Sequence, residues 1–229
     1  YITSTAESIK GKKVGVIKEY MSDELDDDIK AQIQKRIDEL QKAGAEIVEV
    51  SLPSLPLALA CYYIICPAEV SSNLSRYDGQ RYGYSDASAE TLDDSYGKSR
   101  STGFGKEAKR RIMIGTYVLS SGYYDAYYRK AQMLRTKLIS EFNAAFKNVD
   151  FLVGPTAPST AFRVGENVED PLQMYLTDIM TVAVNLVGVP AISIPADTVK
   201  GLPVGFQIIA PQHNDRDLLA FAAQAEGLK

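Results

Sequence analysis

The sequence predicts an α/β fold whose sheet contains parallel strands. Two short runs rich in Val and Ile, at residues 14–17 and 47–50, flank a segment with helical periodicity. A strand, a helix and a second strand in this order predict a right-handed crossover with parallel strand pairing. With 229 residues, of which 45% are hydrophobic, the chain can bury a sizeable core without a disulfide or metal.

The helix between these two strands follows from the spacing of its apolar residues. One helical face is formed by Ile29, Ile33, Ile37 and Leu40. Aspartates at positions 26–28 suit the exposed N–H groups and positive dipole at its start, and Gly44 supplies a stop. The unit Lys12 to Pro53 is therefore the clearest element of the fold.

The rest of the chain continues the alternation of helices and strands. Further helices are expected at 57–74, 106–119, 125–146, 171–186 and 215–226, and further strands at 151–153, 191–194 and 204–209. The first of these helices is apolar enough to be buried. The segment from Ser85 to Thr102 is rich in Ser, Asp and Gly, and we expect it to be a long exposed loop.

Composition excludes several classes of function. The balance of 25 Lys and Arg against 29 Asp and Glu gives a net charge of −4, so a broad basic surface for nucleic acid is not expected. The chain has one histidine, His213, which we expect in a solvated turn, so neither a Ser-His-Asp triad nor a His-rich metal site is expected. No metal site is predicted.

The two cysteines and the apolar runs give information on where in the cell the protein is expected. Cys61 and Cys66 form no Cys-x-x-Cys pair, and we expect buried, reduced thiols in a cytoplasmic protein. No apolar run approaches the roughly 20 residues of a membrane span, so no membrane partner is expected. The chain lacks an initiating Met and a signal pattern, and we expect it to be a fragment.

Two further patterns invite a functional interpretation. Residues 103–108, Gly-Phe-Gly-Lys-Glu-Ala, fit the spacing of a dinucleotide fingerprint, but a polar loop rather than a strand is expected before them, so they indicate a helix start. Tyrosine is abundant, with 14 Tyr against 7 Phe and no Trp. A phenol suits the wall of a cleft or an interface. The expectation for most tyrosines is nevertheless packing in the core.

Several segments together resemble a known family. They are residues 62–65 with 68–83, 103–112, 120–128, 154–158, 170–172, 185–190 and 201–207. The chain resembles the amidase signature family and, within it, the glutaminase (A) subunits of tRNA-dependent amidotransferases. The combination of the first three segments is specific to these subunits, whereas the last three are shared by amidases at large.

The resemblance implies a fold and also where the catalytic residues of the protein lie. It implies the C-terminal half of an amidase-signature α/β/α sandwich with a mixed sheet core, in which 1–229 form a single portion of the amidase domain. The family's Ser nucleophile, second Ser and Lys match no segment here. No catalytic residue is therefore predicted, the catalytic half is expected upstream of Tyr1, and the chain alone is expected to be inactive.

The resemblance also implies which residues bind glutamine. The α-carboxylate of glutamine needs a bidentate cation and its α-ammonium group needs a carboxylate. By motif, Arg111 corresponds to the carboxylate ligand, Asp178 to the ammonium ligand, and Tyr62 to a phenolic hydrogen-bond partner. Adjacent helical positions point about 100° apart, so Arg110 and Arg111 are not expected to face the same pocket.

The resemblance implies partners as well. Ammonia from glutamine would pass to a partner protein that converts Glu-tRNA(Gln) to Gln-tRNA(Gln), with the B and C subunits of the amidotransferase completing the complex. The misacylated tRNA would contact mainly that partner, and ATP and Mg²⁺ would bind there, leaving no cofactor in this chain. A fragment of a small-amide amidase and a non-catalytic interaction remnant are the alternatives.

Overall fold

The computed structural model describes residues 8–22, 25–166 and 171–228. The first seven residues and the motif residue Asp170 lie outside these ranges. The chain divides into two compact units, of which unit 1 comprises Tyr1–Leu59 with Arg135–Lys229 and unit 2 comprises Ala60–Leu134. That the whole chain forms a single portion of one amidase domain stays a prediction.

The described residues contain five strands and eight α-helices. The strands are β1 (Lys13–Ile17), β2 (Glu46–Val50), β3 (Phe151–Pro155), β4 (Ala191–Val199) and β5 (Leu202–Ile209). The α-helices are α1 (Asp27–Lys42), α2 (Ala58–Leu74), α3 (Leu92–Gly103), α4 (Lys106–Leu119), α5 (Tyr128–Ala145), α6 (Pro171–Leu176), α7 (Val182–Val187) and α8 (Asp215–Glu226). Short 3-10 helices at Lys18–Met21 and Leu55–Leu57 follow β1 and precede α2.

All five strands form one mixed sheet in unit 1, in the order β2-β1-β3-β5-β4. Strand β1 pairs in parallel with both β2 and β3, whereas β5 pairs antiparallel with β3 and β4. The turn between β4 and β5 consists of Lys200 and Gly201, both with positive φ, as a two-residue hairpin turn requires. The predicted α/β class, the mixed sheet and the parallel pairing around α1 are confirmed.

Helices α1 and α8 cover the sheet of unit 1. The apolar face predicted for α1 is buried, and the Asp26 side chain accepts a hydrogen bond from the Asp28 N–H at its start. The buried Arg36 of α1 pairs with Glu39 at 2.6 Å and donates to the Ala225 carbonyl at 2.8 Å. Because that carbonyl is at the last turn of α8, Arg36 ties the two helices together.

For two elements of unit 1, the bounds in the structure differ from the predicted ones. The single helix expected at 171–186 is two helices, α6 and α7, separated by turns at 177–181. There Thr177 and Thr181 donate their hydroxyls to backbone carbonyls three residues earlier, an alternative to continued helix. Strand β4 runs through Pro195 to Val199, because β4 is an edge strand where a missing N–H is tolerated.

The expectation of a long loop over Ser85 to Thr102 is wrong for its second half. Residues from Leu92 onward form helix α3. Thr91 caps this helix by accepting from the Asp94 N–H, and Asp94 pairs with Lys98 one turn later at 2.7 Å. Capping and charge pairing therefore specify a helix that has too little apolar content to show a periodic pattern.

Because α3 precedes α4, the rejection of a dinucleotide fingerprint at residues 103–108 is confirmed. The fingerprint needs a strand before its glycines, and here Gly103 ends one helix and Gly105 is the N-cap of the next. The predicted bounds of α4 and α8 are confirmed as well. His213 lies exposed in a turn before α8, as expected.

The stretch Leu55–Leu74, which includes α2, is a helix of 20 residues that is long and apolar enough to cross a membrane by length and composition alone. The expectation that no apolar run approaches this length is therefore wrong. A core helix of a soluble protein passes the same test, so one such helix is weak evidence for a membrane.

Within unit 2, α2 and α4 approach each other closely at Gly115. A methyl group at this position would meet the Pro67 carbonyl oxygen at 2.0 Å, and Ser71 and Thr116 share a hydrogen bond of 2.9 Å one turn further along. The contact therefore depends on the absence of a side chain at Gly115.

We predict that Gly115→Ala lowers stability by about 1–3 kcal/mol, because the new methyl group meets backbone rather than a movable side chain. Gly97→Ala is the matched control. Gly97 lies within α3 with open space around its Cα, so alanine is expected to leave stability unchanged or raise it by about 0.5–1 kcal/mol. Urea unfolding of the two variants measures both effects, and equal midpoints would contradict the prediction.

Candidate functional site

Three charged residues at the start of α4 form an ion-pair cluster. Glu107 accepts a hydrogen bond from Nε of Arg111 at 2.9 Å and another from Nη1 of Arg110. The Arg110 side chain is 45% exposed, whereas that of Arg111 is only 22% exposed. Consecutive positions on the helix thus send one guanidinium toward solvent and one into the protein, as the helical spacing predicts.

The guanidinium of Arg111 lies among side chains of α2. Its Cζ is 5.4 Å from the centre of the Tyr63 ring, a cation–π contact, and Nη1 is 3.7 Å from Sγ of Cys66. The Tyr62 hydroxyl also shares hydrogen bonds with Arg111 and Cys66. The structure therefore brings together two of the three predicted site residues, Tyr62 and Arg111.

Electrostatics keep both groups in the protonation state that carboxylate binding needs. Partial burial opposes the charge of Arg111, but hydrogen bonds to Glu107 and Tyr62 outweigh it and raise the pKa of Arg111. Burial, followed by the hydrogen bond to Cys66, raises the pKa of Tyr62. At neutral pH the site therefore contains a fixed cation beside a neutral phenol, which is able to donate a hydrogen bond.

The third predicted residue, Asp178, belongs to unit 1, in the turns between α6 and α7. Its side chain is half-buried, and its carbonyl accepts hydrogen bonds from the N–H groups of Thr181 and Val182. Gln207, which is buried in the sheet, donates to the carbonyls of Met180 at 2.9 Å and Pro155 at 3.4 Å. The turn that carries Asp178 is thus attached to the ends of β3 and β5.

Three residues of the Arg111 environment were not predicted from the sequence: Tyr63, Cys66 and Glu107. The spacing of four between Glu107 and Arg111 is a signal for a helical ion pair. The contacts of Arg111 with Tyr63 and Cys66 join two helices, and periodicity along one chain carries no information on them. Cys66 is half-buried and Cys61 fully buried, and the two form no disulfide.

The tyrosines do not follow the expectation that most pack in the core. Seven of the described tyrosines are more than 40% exposed: Tyr77, Tyr82, Tyr84, Tyr117, Tyr123, Tyr124 and Tyr127. The rings of Tyr117 and Tyr123 pack in a tilted arrangement with centres 4.2 Å apart. The hydrogen bond between the two hydroxyls, and after it burial, raises the pKa of Tyr117 to about 12. These rings therefore form surface clusters.

Comparison with known proteins places the chain in a family. The family model named Amidase matches residues 1–219. The chain belongs to the amidase family, and the resemblance read from its motifs is confirmed. An aryl acylamidase of the amidase signature group shares the fold, with a TM-score of 0.73 over 98% of the chain at 22% identity.

Within this family the chain is most informatively compared with the A subunit of glutamyl-tRNA(Gln) amidotransferase. It is 49% identical over 227 residues to that protein from Koribacter versatilis, covering 99% of this chain and 47% of the relative. For the same protein from Nitrosococcus oceani the identity is 52% over 222 residues, 97% of this chain and 46% of the relative. The chain spans about half the length of these curated relatives.

A solved structure supports the same comparison. The crystal structure of the glutamyl-tRNA(Gln) amidotransferase A subunit from Thermotoga maritima superposes with a TM-score of 0.71 at 33% identity. The match covers 97% of this chain and 43% of that one. The similarity therefore extends through the fold as well as the sequence.

Proposed function

We propose that the chain is the glutamine-binding part of the glutaminase subunit of a tRNA-dependent amidotransferase. The names of its relatives support the class of reaction. The observation that carries the glutamine assignment is the partly buried Arg111, which lies beside the Tyr62 hydroxyl and has its Nε bound by Glu107. A planar cation beside a phenolic donor is suited to a carboxylate.

Arg111 and Tyr62 would bind the α-carboxylate of glutamine. A guanidinium presents parallel N–H groups that match the two oxygens of a carboxylate, which fixes orientation as well as position. The 22% exposure of Arg111 strengthens the interaction relative to an exposed pair, because less water competes for the charge. The Tyr62 hydroxyl would donate a further hydrogen bond.

Asp178 would bind the α-ammonium group, on the strength of the family resemblance. An amino acid carries this group next to its carboxylate, whereas a simple primary amide has neither. Recognition of both charges would make the site selective for glutamine. Asp178 is therefore the residue that separates a glutaminase from an amidase acting on small neutral amides.

The division of the reaction follows from what this chain contains. Its residues would hold and orient glutamine, while a serine nucleophile elsewhere in the full-length protein would attack the side-chain amide carbon and release ammonia. The ammonia would pass to the B subunit of the amidotransferase, which would bind ATP, Mg²⁺ and the misacylated tRNA. The C subunit would complete this cytoplasmic complex.

The 229-residue chain by itself is expected to release no ammonia from glutamine at any pH, because no Ser/Ser/Lys set of the family matches its sequence. A coupled assay for ammonia on the purified chain, with the full-length protein in its complex as positive control, checks this. Serine-directed turnover by the chain alone would contradict the proposed division.

In the full-length enzyme, Arg111→Lys is expected to raise the KM for glutamine about tenfold or more, since lysine keeps the charge but loses the planar fork. Amidation with free ammonia as donor should stay near the wild-type rate. Steady-state kinetics with the two donors give the comparison. An equal loss with both donors would mean that Arg111 supports the fold rather than the substrate.

Asp178→Asn should weaken glutamine use by orders of magnitude, because removing one partner of a desolvated ion pair costs about 2–5 kcal/mol. Hydrolysis of a neutral primary amide should change little, as should the melting temperature, since Asn is nearly isosteric. Kinetics on both substrates with one preparation decide the matter. Equal losses, or a large fall in melting temperature, would assign Asp178 a structural role.

A further inference from the structure

Glu107 is the residue that determines how the guanidinium of Arg111 is presented. It lies in the first turn of α4, one turn before Arg111, and its Oε1 accepts the hydrogen bond from Nε at 2.9 Å. Nε and one terminal nitrogen form the side edge of a guanidinium, and the two terminal nitrogens form its end. Because Glu107 binds at Nε, the side edge is not the one a substrate carboxylate would meet.

Other contacts hold the same guanidinium against α2. Its Cζ lies over the Tyr63 ring, 5.4 Å from the ring centre, and Nη1 lies 3.7 Å from Sγ of Cys66. An arginine side chain that already has several partners before the ligand arrives loses little further freedom when it binds. The geometry is that of a preorganised cation.

We propose that Glu107 is a positioning residue for substrate recognition, which directs the Nη1–Nη2 end of Arg111 toward the substrate carboxylate. This inference rests on the proposed function, because it specifies how Arg111 would bind glutamine. Glu107 acts through Arg111 and does not touch the substrate. Its role is to supply an oxygen acceptor to Nε.

The charge of Glu107 by itself would oppose an incoming carboxylate. Arg110, which shares the same Glu107 carboxylate, offsets that charge. The three side chains together keep a net charge of one positive unit. Orientation is thus obtained without loss of the attraction that draws an anion to Arg111.

The test uses the full-length protein in its complex, with three substitutions of Glu107. Glu107→Ala and Glu107→Met remove the acceptor, and methionine keeps the length of the side chain in case alanine unfolds the helix start. Glu107→Gln is the matched control, because it keeps an oxygen that can accept from Nε. Each variant is assayed with glutamine and with ammonia as donor, and its melting temperature is measured.

We expect Glu107→Ala and Glu107→Met to raise the KM for the substrate glutamine about tenfold, with kcat and the ammonia-dependent rate unchanged. For Glu107→Gln, the KM for glutamine should stay within about threefold of the wild-type value. In an Arg111→Lys background, Glu107→Ala should add nothing further, since lysine has no Nε edge to orient.

Three results would overturn the inference. The KM for glutamine in both acceptor-free variants could stay within about twofold of wild type, the Gln variant could lose as much as they do, or both donors could suffer together with a fall in melting temperature. The first two leave the proposed function intact provided that Arg111→Lys still discriminates between donors. If Arg111→Lys does not discriminate, the proposed function itself fails.

Discussion

The close contact of α2 with α4 at Gly115 is the constraint on which the arrangement of the candidate site depends. Gly115 lies one turn after Arg111 on the same helical face, and Pro67, whose carbonyl it meets, directly follows Cys66 in sequence. Side chains four residues apart are neighbours on a helix surface. The same approach that excludes a Cβ at Gly115 therefore places the guanidinium of Arg111 beside Tyr63 and Cys66.

Pro67 also affects the backbone of α2, because proline has no N–H to donate. A proline inside a helix removes the hydrogen bond to the carbonyl four residues earlier, here that of Tyr63, and strains the preceding turn. This turn is the one that presents Tyr62, Tyr63 and Cys66 to Arg111. Tyr62, Tyr63 and Cys66, the side chains of α2 that contact Arg111, thus all lie in the turn before Pro67.

In unit 1 the corresponding anchor is Gln207. A polar side chain that is buried must satisfy its hydrogen-bonding groups, and Gln207 does so by donating to carbonyls at the end of β3 and in the turn after Asp178. Loop residues carry binding groups best when a rigid scaffold holds the loop. Through Gln207 the sheet, the most regular part of the molecule, fixes the backbone next to Asp178.

The sequence predicts an element well when local periodicity specifies it, and poorly when caps, ion pairs or contacts between helices do. Residues 106–119 and 215–226 carry strong helical periodicity, and their bounds were predicted correctly. Helix α3 was missed because caps and ion pairs specify it, and the helix expected at 171–186 breaks where threonine hydroxyls compete for backbone carbonyls. The motif resemblance indicated Arg111 and Tyr62, but their neighbours Tyr63 and Cys66 depend on helix packing that no local pattern encodes.

The negative charge of Glu107 allows two arginines to lie near the start of α4. The first turn of a helix carries a partial positive charge, so an arginine nearby is disfavoured and an acidic residue is favoured. Glu107 offsets that repulsion for both arginines by accepting a hydrogen bond from each guanidinium. In the proposed function, a substrate carboxylate would be a second anionic partner for the guanidinium of Arg111. The ion pairs that stabilise the start of α4 are thus the same ones that hold the guanidinium of Arg111 in place.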